Sequence, residues 1–176
     1  MKFQETGIEG AWLIEPSPIR DERGHFARLL CRDEFAERGL TLDIVQSNVG
    51  VSVHVGTLRG LHFQKHPHRE VKIVRCCRGS MFDVLVDLRP DSATFRSWYG
   101  AELSARNGRT LVVPEGCAQG YLTLEADTEM YYHTTKRYAP DAASGVRYDD
   151  PAFGIAWPAE IRVVSDQDRT WPEFVV

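Results

Sequence analysis

The residues best equipped for chemistry begin with His62, then His66-Pro67-His68, then Lys72. An imidazole titrates near neutrality and can act as a base or a metal ligand. An ammonium just beyond two histidines would instead repel a divalent cation. The His66-Pro67-His68 pair is a weak metal pattern and reads first as surface-loop histidines. The cysteines offer no better ligand set: Cys76 and Cys77 are adjacent, Cys31 and Cys117 stand alone, and no Cys-x-x-Cys spacing appears. Reduced core thiols are the expectation. Farther along come Gln119, Tyr131-Tyr132 and Ser165-Asp166-Gln167-Asp168, which supply an amide, phenols and carboxylates.

Most of these groups fall in segments that read as strand. Val71 to Arg78 alternates apolar and basic residues and breaks at Gly79-Ser80. Met81–Leu88, Ser97–Leu103, Thr110–Val113, Gly120–Leu124 and Thr128–Thr135 follow, each bounded by Gly, Pro, Asn or Asp. Short strands at near-regular spacing indicate an all-β sandwich or barrel. Alternation sends Tyr131 and Tyr132 to opposite faces, so only one can face a pocket. The good helix candidate is Asp33–Arg38, with an acidic first turn and Gly39 as its stop. No linker, repeat or low-complexity tract appears, so residues 1–176 read as one domain. The stretch from Ala139 onward is rich in Pro, Asp and Trp, and should wrap a barrel or pack on a partner subunit.

Two spaced motifs resemble those of cupin barrels. The first runs Gly60, His66-Pro67-His68, Lys72, Gly79, and the second Gly108, Pro114, Gly116, Gln119. Metal-binding cupins would carry Glu at Lys72 and His at Gln119. The frame is therefore that of a cupin with two of four ligands replaced, and no metal or other cofactor is expected.

A narrower resemblance starts at Gly56-Thr57-Leu58-Arg59-Gly60-Leu61-His62-Phe63-Gln64. It continues through Asp21-Glu22-Arg23-Gly24, Gln46-Ser47-Asn48, Phe82-Asp83-Val84, Pro114-Glu115-Gly116, Tyr131-Tyr132, Gly145-Val146-Arg147 and Asp149-Asp150-Pro151. In order and spacing, from about residue 10 to 170, the chain resembles the dTDP-4-dehydrorhamnose 3,5-epimerase family. The resemblance implies a cupin-type double-stranded β-helix (a jelly-roll barrel) with a short N-terminal helix and a C-terminal wrapping tail. It also implies a homodimer in which an N-terminal strand crosses to the neighbour.

The implied substrate is a nucleotide-linked 4-keto-6-deoxy sugar whose ketone acidifies the C3 and C5 hydrogens. A base removes a proton, an enolate forms, and a proton returns to the opposite face. By resemblance His62 is the base, Asp168 its carboxylate partner, Lys72 the enolate-stabilising cation and Tyr132 the proton donor. The plain alternatives are a satisfied strand histidine and an ordinary strand aromatic. Arg23, Gln46, Asn48 and Arg59 match positions near nucleotide and sugar, and arginine forks suit a diphosphate. Phe26 and Tyr138 can pack against base or sugar, although core packing serves Phe26 equally well.

Two positions depart from the family pattern. Gln119 stands where the family has His in F-A-H-G-F, so it can orient or stabilise but cannot move protons. Arg28 exchanges an acidic position for a basic one. A relative acting on another nucleotide or sugar, or at one carbon only, would fit. So would a ketoisomerase on the same substrates or a non-catalytic sugar-nucleotide binding protein; Lys72 and Gln119 disfavour a metal-dependent cupin oxygenase.

Bulk properties are those of an ordinary globular protein: 176 residues, 43% apolar, 26% charged, net charge −4. Such a charge does not draw in nucleic acid or anionic membrane, so an anionic ligand must meet a local basic group. The start of the chain lacks the apolar region of a signal peptide, and no run could span a bilayer; the cytoplasm is the expected compartment.

Overall fold

Alternating side chains on short strands build two facing sheets, and the computed structural model describes residues 1–175 of them and their connections. The first sheet is ordered β1 (Lys2–Glu5), β2 (Trp12–Glu15), β10 (Thr110–Val113), β7 (Lys72–Arg78), β12 (Thr128–Thr134) and β5 (Gln46–Ser52). The second is ordered β13 (Ala143–Gly145), β6 (Thr57–Gln64), β11 (Cys117–Thr123), β8 (Ser80–Asp87) and β9 (Trp98–Ser104). A short β14 (Val163–Val164) adds to β6 in parallel, while the other neighbours are antiparallel. A separate hairpin joins β3 (Ile19–Asp21) to β4 (Gly24–Phe26).

The central strands of the two sheets bury different side chains on their two faces. Leu13, Val74, Leu85, Leu103 and Leu111 meet between the sheets in the main core. Ile14, Ile73 and Val112 point the other way from the first sheet and are covered by Phe35 of the short helix α1 (Arg32–Ala36). Leu61, Val84 and Val86 line the outside of the second sheet and pack under Val146 and Phe153 of the tail. Burying one such aliphatic side chain is worth about 1.5–3 kcal/mol, so the tail is part of the core rather than an appendage.

The strands from Val71 to Thr135 lie within a residue or two of their expected bounds, except that β11 begins earlier, at Cys117. Helix α1 is shorter than the Asp33–Arg38 reading. Arg38 N–H donates to Phe35 and Gly39 N–H to Ala36, which tightens the last turn, and Gly39 ends it at φ +73°. The thiols divide. Cys76 and Cys117 are buried, whereas Cys77 sits on the outward face of β7 and is exposed, and Cys31 is half-buried beside α1. The core-thiol expectation therefore fails for Cys77, because strand alternation turns it to solvent next to its buried neighbour. No helix among the described residues is long and apolar enough to cross a membrane.

Candidate active site

Strand β6 carries His62 on the inner face of the second sheet, and the tail delivers its partner. After β13 runs antiparallel to β6 and β14 parallel to it, helix α2 (Asp166–Arg169) begins with Ser165 as its cap; the Ser165 hydroxyl accepts from Asp168 N–H at 3.1 Å. Asp168 Oδ1 then stands 2.6 Å from His62 Nε2, and Oδ2 accepts from Gly60 N–H at 3.2 Å. The His62 side chain is 46% exposed and that of Asp168 only 5%. One ring nitrogen is thus tied to a buried carboxylate while the rest of the ring stays reachable from the cavity. Burial opposes the charge of Asp168, but the His62 ring and the Gly60 amide hold its pKa below the ordinary carboxylate value.

This approach depends on two glycines. At Gly60, with φ +118°, a Cβ would meet Gly120 Cα at 2.6 Å, so β6 and β11 close only on a bare backbone. At Gly145, opposite His62 in the β13–β6 ladder, a Cβ would overlap the Trp171 indole that lies edge-on to the His62 ring.

The first sheet supplies the facing groups. Lys72, at the start of β7, is buried and donates to the His62 carbonyl at 2.9 Å, with Glu70 Oε1 at 3.3 Å. Burial lowers its pKa, and the neighbouring Glu70 and Asp83 carboxylates oppose that shift. Tyr132 on β12 turns into the same cavity and Tyr131 turns outward, as alternation requires. Burial, with Glu70 adding to it, raises the Tyr132 phenol above its ordinary pKa, so the phenol keeps its proton at neutral pH.

Gln119 is the cross-strand partner of His62 on β11, and its side-chain amide donates to Asp83 Oδ1 on β8. Asp83 is fully buried, and its Oδ2 has no hydrogen-bond partner among the described residues. Burial pushes its pKa up to about 7, although the Gln119 amide and the Lys72 charge pull the other way.

These side chains, Asp83 excepted, line one open cavity of about 680 Å³ between the sheets. Gln46, Asn48, Arg59, Gln119 and Tyr138 line it with His62, Lys72, Tyr132 and Asp168. Arg59 is held in place, its Nε donating to Ser52 Oγ at 3.1 Å and a terminal nitrogen to the Val51 carbonyl at 3.1 Å. Gln46 accepts from Tyr138 N–H, which fixes the loop that carries the exposed Tyr138 ring. Arg23 and Phe26 are not in this group. They belong to the β3–β4 hairpin, where Arg23 pairs with Asp21 and Phe26 is 74% exposed. Arg28 is likewise outside the cavity lining and pairs with Glu34. His66 and His68 are exposed in the loop after β6.

Sequence reading passed over several groups in the cavity or next to Lys72. Asp83 and Glu70 are buried carboxylates beside Lys72, and Trp171 and Lys136 line the opening. Asp83 had a usable signal, an acid within the apolar run Met81–Leu88, which also holds Asp87. Glu70 precedes its strand in a charged loop and had none.

With this geometry in hand, comparison with known proteins gives one answer. A family model described as dTDP-4-dehydrorhamnose 3,5-epimerase matches residues 5–175. The chain belongs to the dTDP-4-dehydrorhamnose 3,5-epimerase family. A dTDP-4-dehydrorhamnose 3,5-epimerase of Sinorhizobium fredii is 42% identical over 175 residues, covering 99% of this chain and 90% of that protein. A crystal structure of a dTDP-4-dehydrorhamnose 3,5-epimerase from Bacillus anthracis, with TDP and PPi bound, superposes with a TM-score of 0.94 at 41% identity, covering 98% of this chain and 99% of that one. A dTDP-4-dehydrorhamnose 3-epimerase of Streptomyces niveus is 36% identical over 170 residues, 96% of this chain and 82% of that protein. Both 3,5- and 3-epimerases thus stand among this chain's relatives.

Proposed function

We propose that this protein is an epimerase of a nucleotide-linked 4-keto-6-deoxy sugar of the dTDP-4-dehydro-6-deoxyglucose type, and that His62, Asp168, Lys72 and Tyr132 carry the reaction. The observation that carries this reading is the tethered His62–Asp168 pair on one sheet, with Lys72 and Tyr132 reaching the same cavity from the other.

The steps follow from residue chemistry. His62 takes the C–H proton next to the C4 ketone, and Asp168 stabilises the imidazolium that results. The electron pair moves onto the carbonyl oxygen, where the Lys72 ammonium compensates the enolate charge. Tyr132, facing from the opposite sheet, gives its phenolic proton to the other face of the same carbon, which inverts it. His62 then releases its proton and the phenolate regains one from solvent. Gln119 cannot titrate and serves to orient the sugar. Arg59 meets the diphosphate; Gln46 and Asn48 contact the sugar nucleotide, and Tyr138 covers it.

The coarse architecture of two facing sheets with two short helices supports the finer reading of a cupin-type double-stranded β-helix forming one domain. A homodimer accounts for the β3–β4 hairpin, whose Ile19 and Phe26 are largely exposed. An N-terminal crossing would set the hairpin against the neighbouring chain and bring Arg23 and Phe26 to a ligand there. Four unpaired cysteines fit the reducing cytoplasm.

The reading is tested by supplying dTDP-4-keto-6-deoxyglucose and assigning the product by NMR. Inversion at C3, C5 or both supports it. A carbonyl moved along the ring would identify a ketoisomerase, and unchanged, tightly bound substrate a binding protein.

A further inference from the structure

Lys72 has three ammonium donors, and the fold disposes of two. One goes to the His62 carbonyl at 2.9 Å, and a second faces Glu70 Oε1 at 3.3 Å. Glu70 is itself pinned. Its other oxygen accepts from Gln64 Nε2 at 2.6 Å, and its side chain is 6% exposed. Gln64 accepts in turn from Ala139 N–H at 2.7 Å, which ties this chain of contacts to the loop carrying Tyr138. A tetrahedral ammonium with two donors fixed has one direction left, so the remaining N–H is set by the protein before any ligand arrives.

We propose that Glu70 is a positioning residue for the epimerisation, acting through Lys72: it anchors the ammonium as a cation and aims its free donor into the cavity. This rests on the role given to Lys72 above and extends it to the carboxylate that holds the ammonium. Other ionisable groups near the ammonium are Asp83 on β8, His62 on β6, and Tyr132 on β12. Among the described ionisable side chains Glu70 alone contacts the Lys72 nitrogen, at 3.3 Å. Burial works against the Lys72 charge, and Glu70 is the strongest influence holding it.

The test pairs Glu70→Gln with Glu70→Asp in the full chain. Lys72 is followed directly by the pH dependence of its labelled Cε NMR signal, assigned by its absence in Lys72→Met. In Glu70→Gln the Lys72 titration and the basic limb of kcat/KM should both fall by about one pH unit or more. The value of kcat should drop about 10–100-fold with KM little changed, the scale on which supporting partners of site residues act. Glu70→Asp keeps the charge but withdraws it by one methylene; it should retain most of the titration while still losing kcat. A Lys72 titration unmoved in Glu70→Gln overturns the proposal, even if turnover falls. If Glu70→Gln does not fold, Glu70→Asp decides alone, and wild-type kcat in it overturns the proposal. Because the NMR titration needs no substrate, failure of the epimerase reading would appear separately, as absent turnover in the wild type.

Discussion

Asp168 follows His62 by 106 residues, yet its Oδ1 lies 2.6 Å from the His62 Nε2. The tail spans that separation by adding two short strands to β6 and then capping α2 with Ser165, so the carboxylate arrives already oriented by backbone hydrogen bonds. Asp168→Asn would keep the shape but remove the charge that favours the imidazolium. Turnover should fall by about 10²–10⁴-fold, the range over which positioned acid–base groups act. Steady-state kinetics, with circular dichroism to show an unchanged fold, checks this.

The same carboxylate makes a pH-dependent contribution to stability. Its folded-state pKa is depressed, so its stabilising contribution is present above the unfolded value, about 3.9, and is lost as pH falls through the folded one. Urea titrations between pH 6 and pH 3 should show wild type losing more stability than Asp168→Asn across that acid window.

Asp83 behaves in the opposite sense. Its pKa is raised to about 7 by burial, so the folded chain binds a proton that the unfolded chain releases near pH 4. Stability from this group is full below about pH 4 and declines as pH rises to about 7. Asp83→Asn cannot ionise, keeps an oxygen for the Gln119 amide, and should escape the decline. From pH 5 to pH 8 the variant should gain on wild type by an amount on the order of 2 kcal/mol, measured by urea unfolding.

Gly145→Ala tests the route that delivers the tail. The added methyl would overlap Trp171 and push β13 from His62. Overpacking of this kind costs about 1–3 kcal/mol. Thermal unfolding should register that loss, and kcat should fall with it because Asp168 is displaced with the tail.

Arg59 is held by Ser52 and Val51 on the cavity wall. If it meets the diphosphate, Arg59→Ala should raise KM about 10-fold or more while leaving the pH profile unchanged, since a charge-assisted contact is worth about 1.5–3 kcal/mol. An initial-rate series against substrate concentration is sufficient.

Much of this was legible in the sequence because alternation is a local property. Val71–Arg78, Met81–Leu88 and Thr128–Thr135 each reveal their strand, and alternation at Tyr131–Tyr132 shows that only one ring can face inward, Tyr132 being singled out by resemblance. Strand β6 is harder to see. Gly60 interrupts its pattern at positive φ, and its register against β11 shifts between Gln119 and Tyr121. The pairing of His62 with Asp168 came from motif resemblance, not spacing, because a contact made through a wrapping tail leaves no periodic trace. Glu70 stayed hidden for a related reason: its burial comes from neighbours on other strands, which a linear pattern does not display. Arg23 and Phe26 were legible as a motif, but one chain does not bring them to its own cavity.

The central claim is that His62 removes a proton from the carbon beside a ketone. Its most direct test is incubation with dTDP-4-keto-6-deoxyglucose in deuterated water, following C3 and C5 by NMR for wild type and His62→Ala. The predicted result is deuterium entering at C3, C5 or both with wild type, and none beyond the spontaneous rate with a folded His62→Ala. Exchange that persists at the wild-type rate in His62→Ala, or no exchange with wild type on thymidine-, guanosine- or cytidine-linked ketosugars, would contradict it.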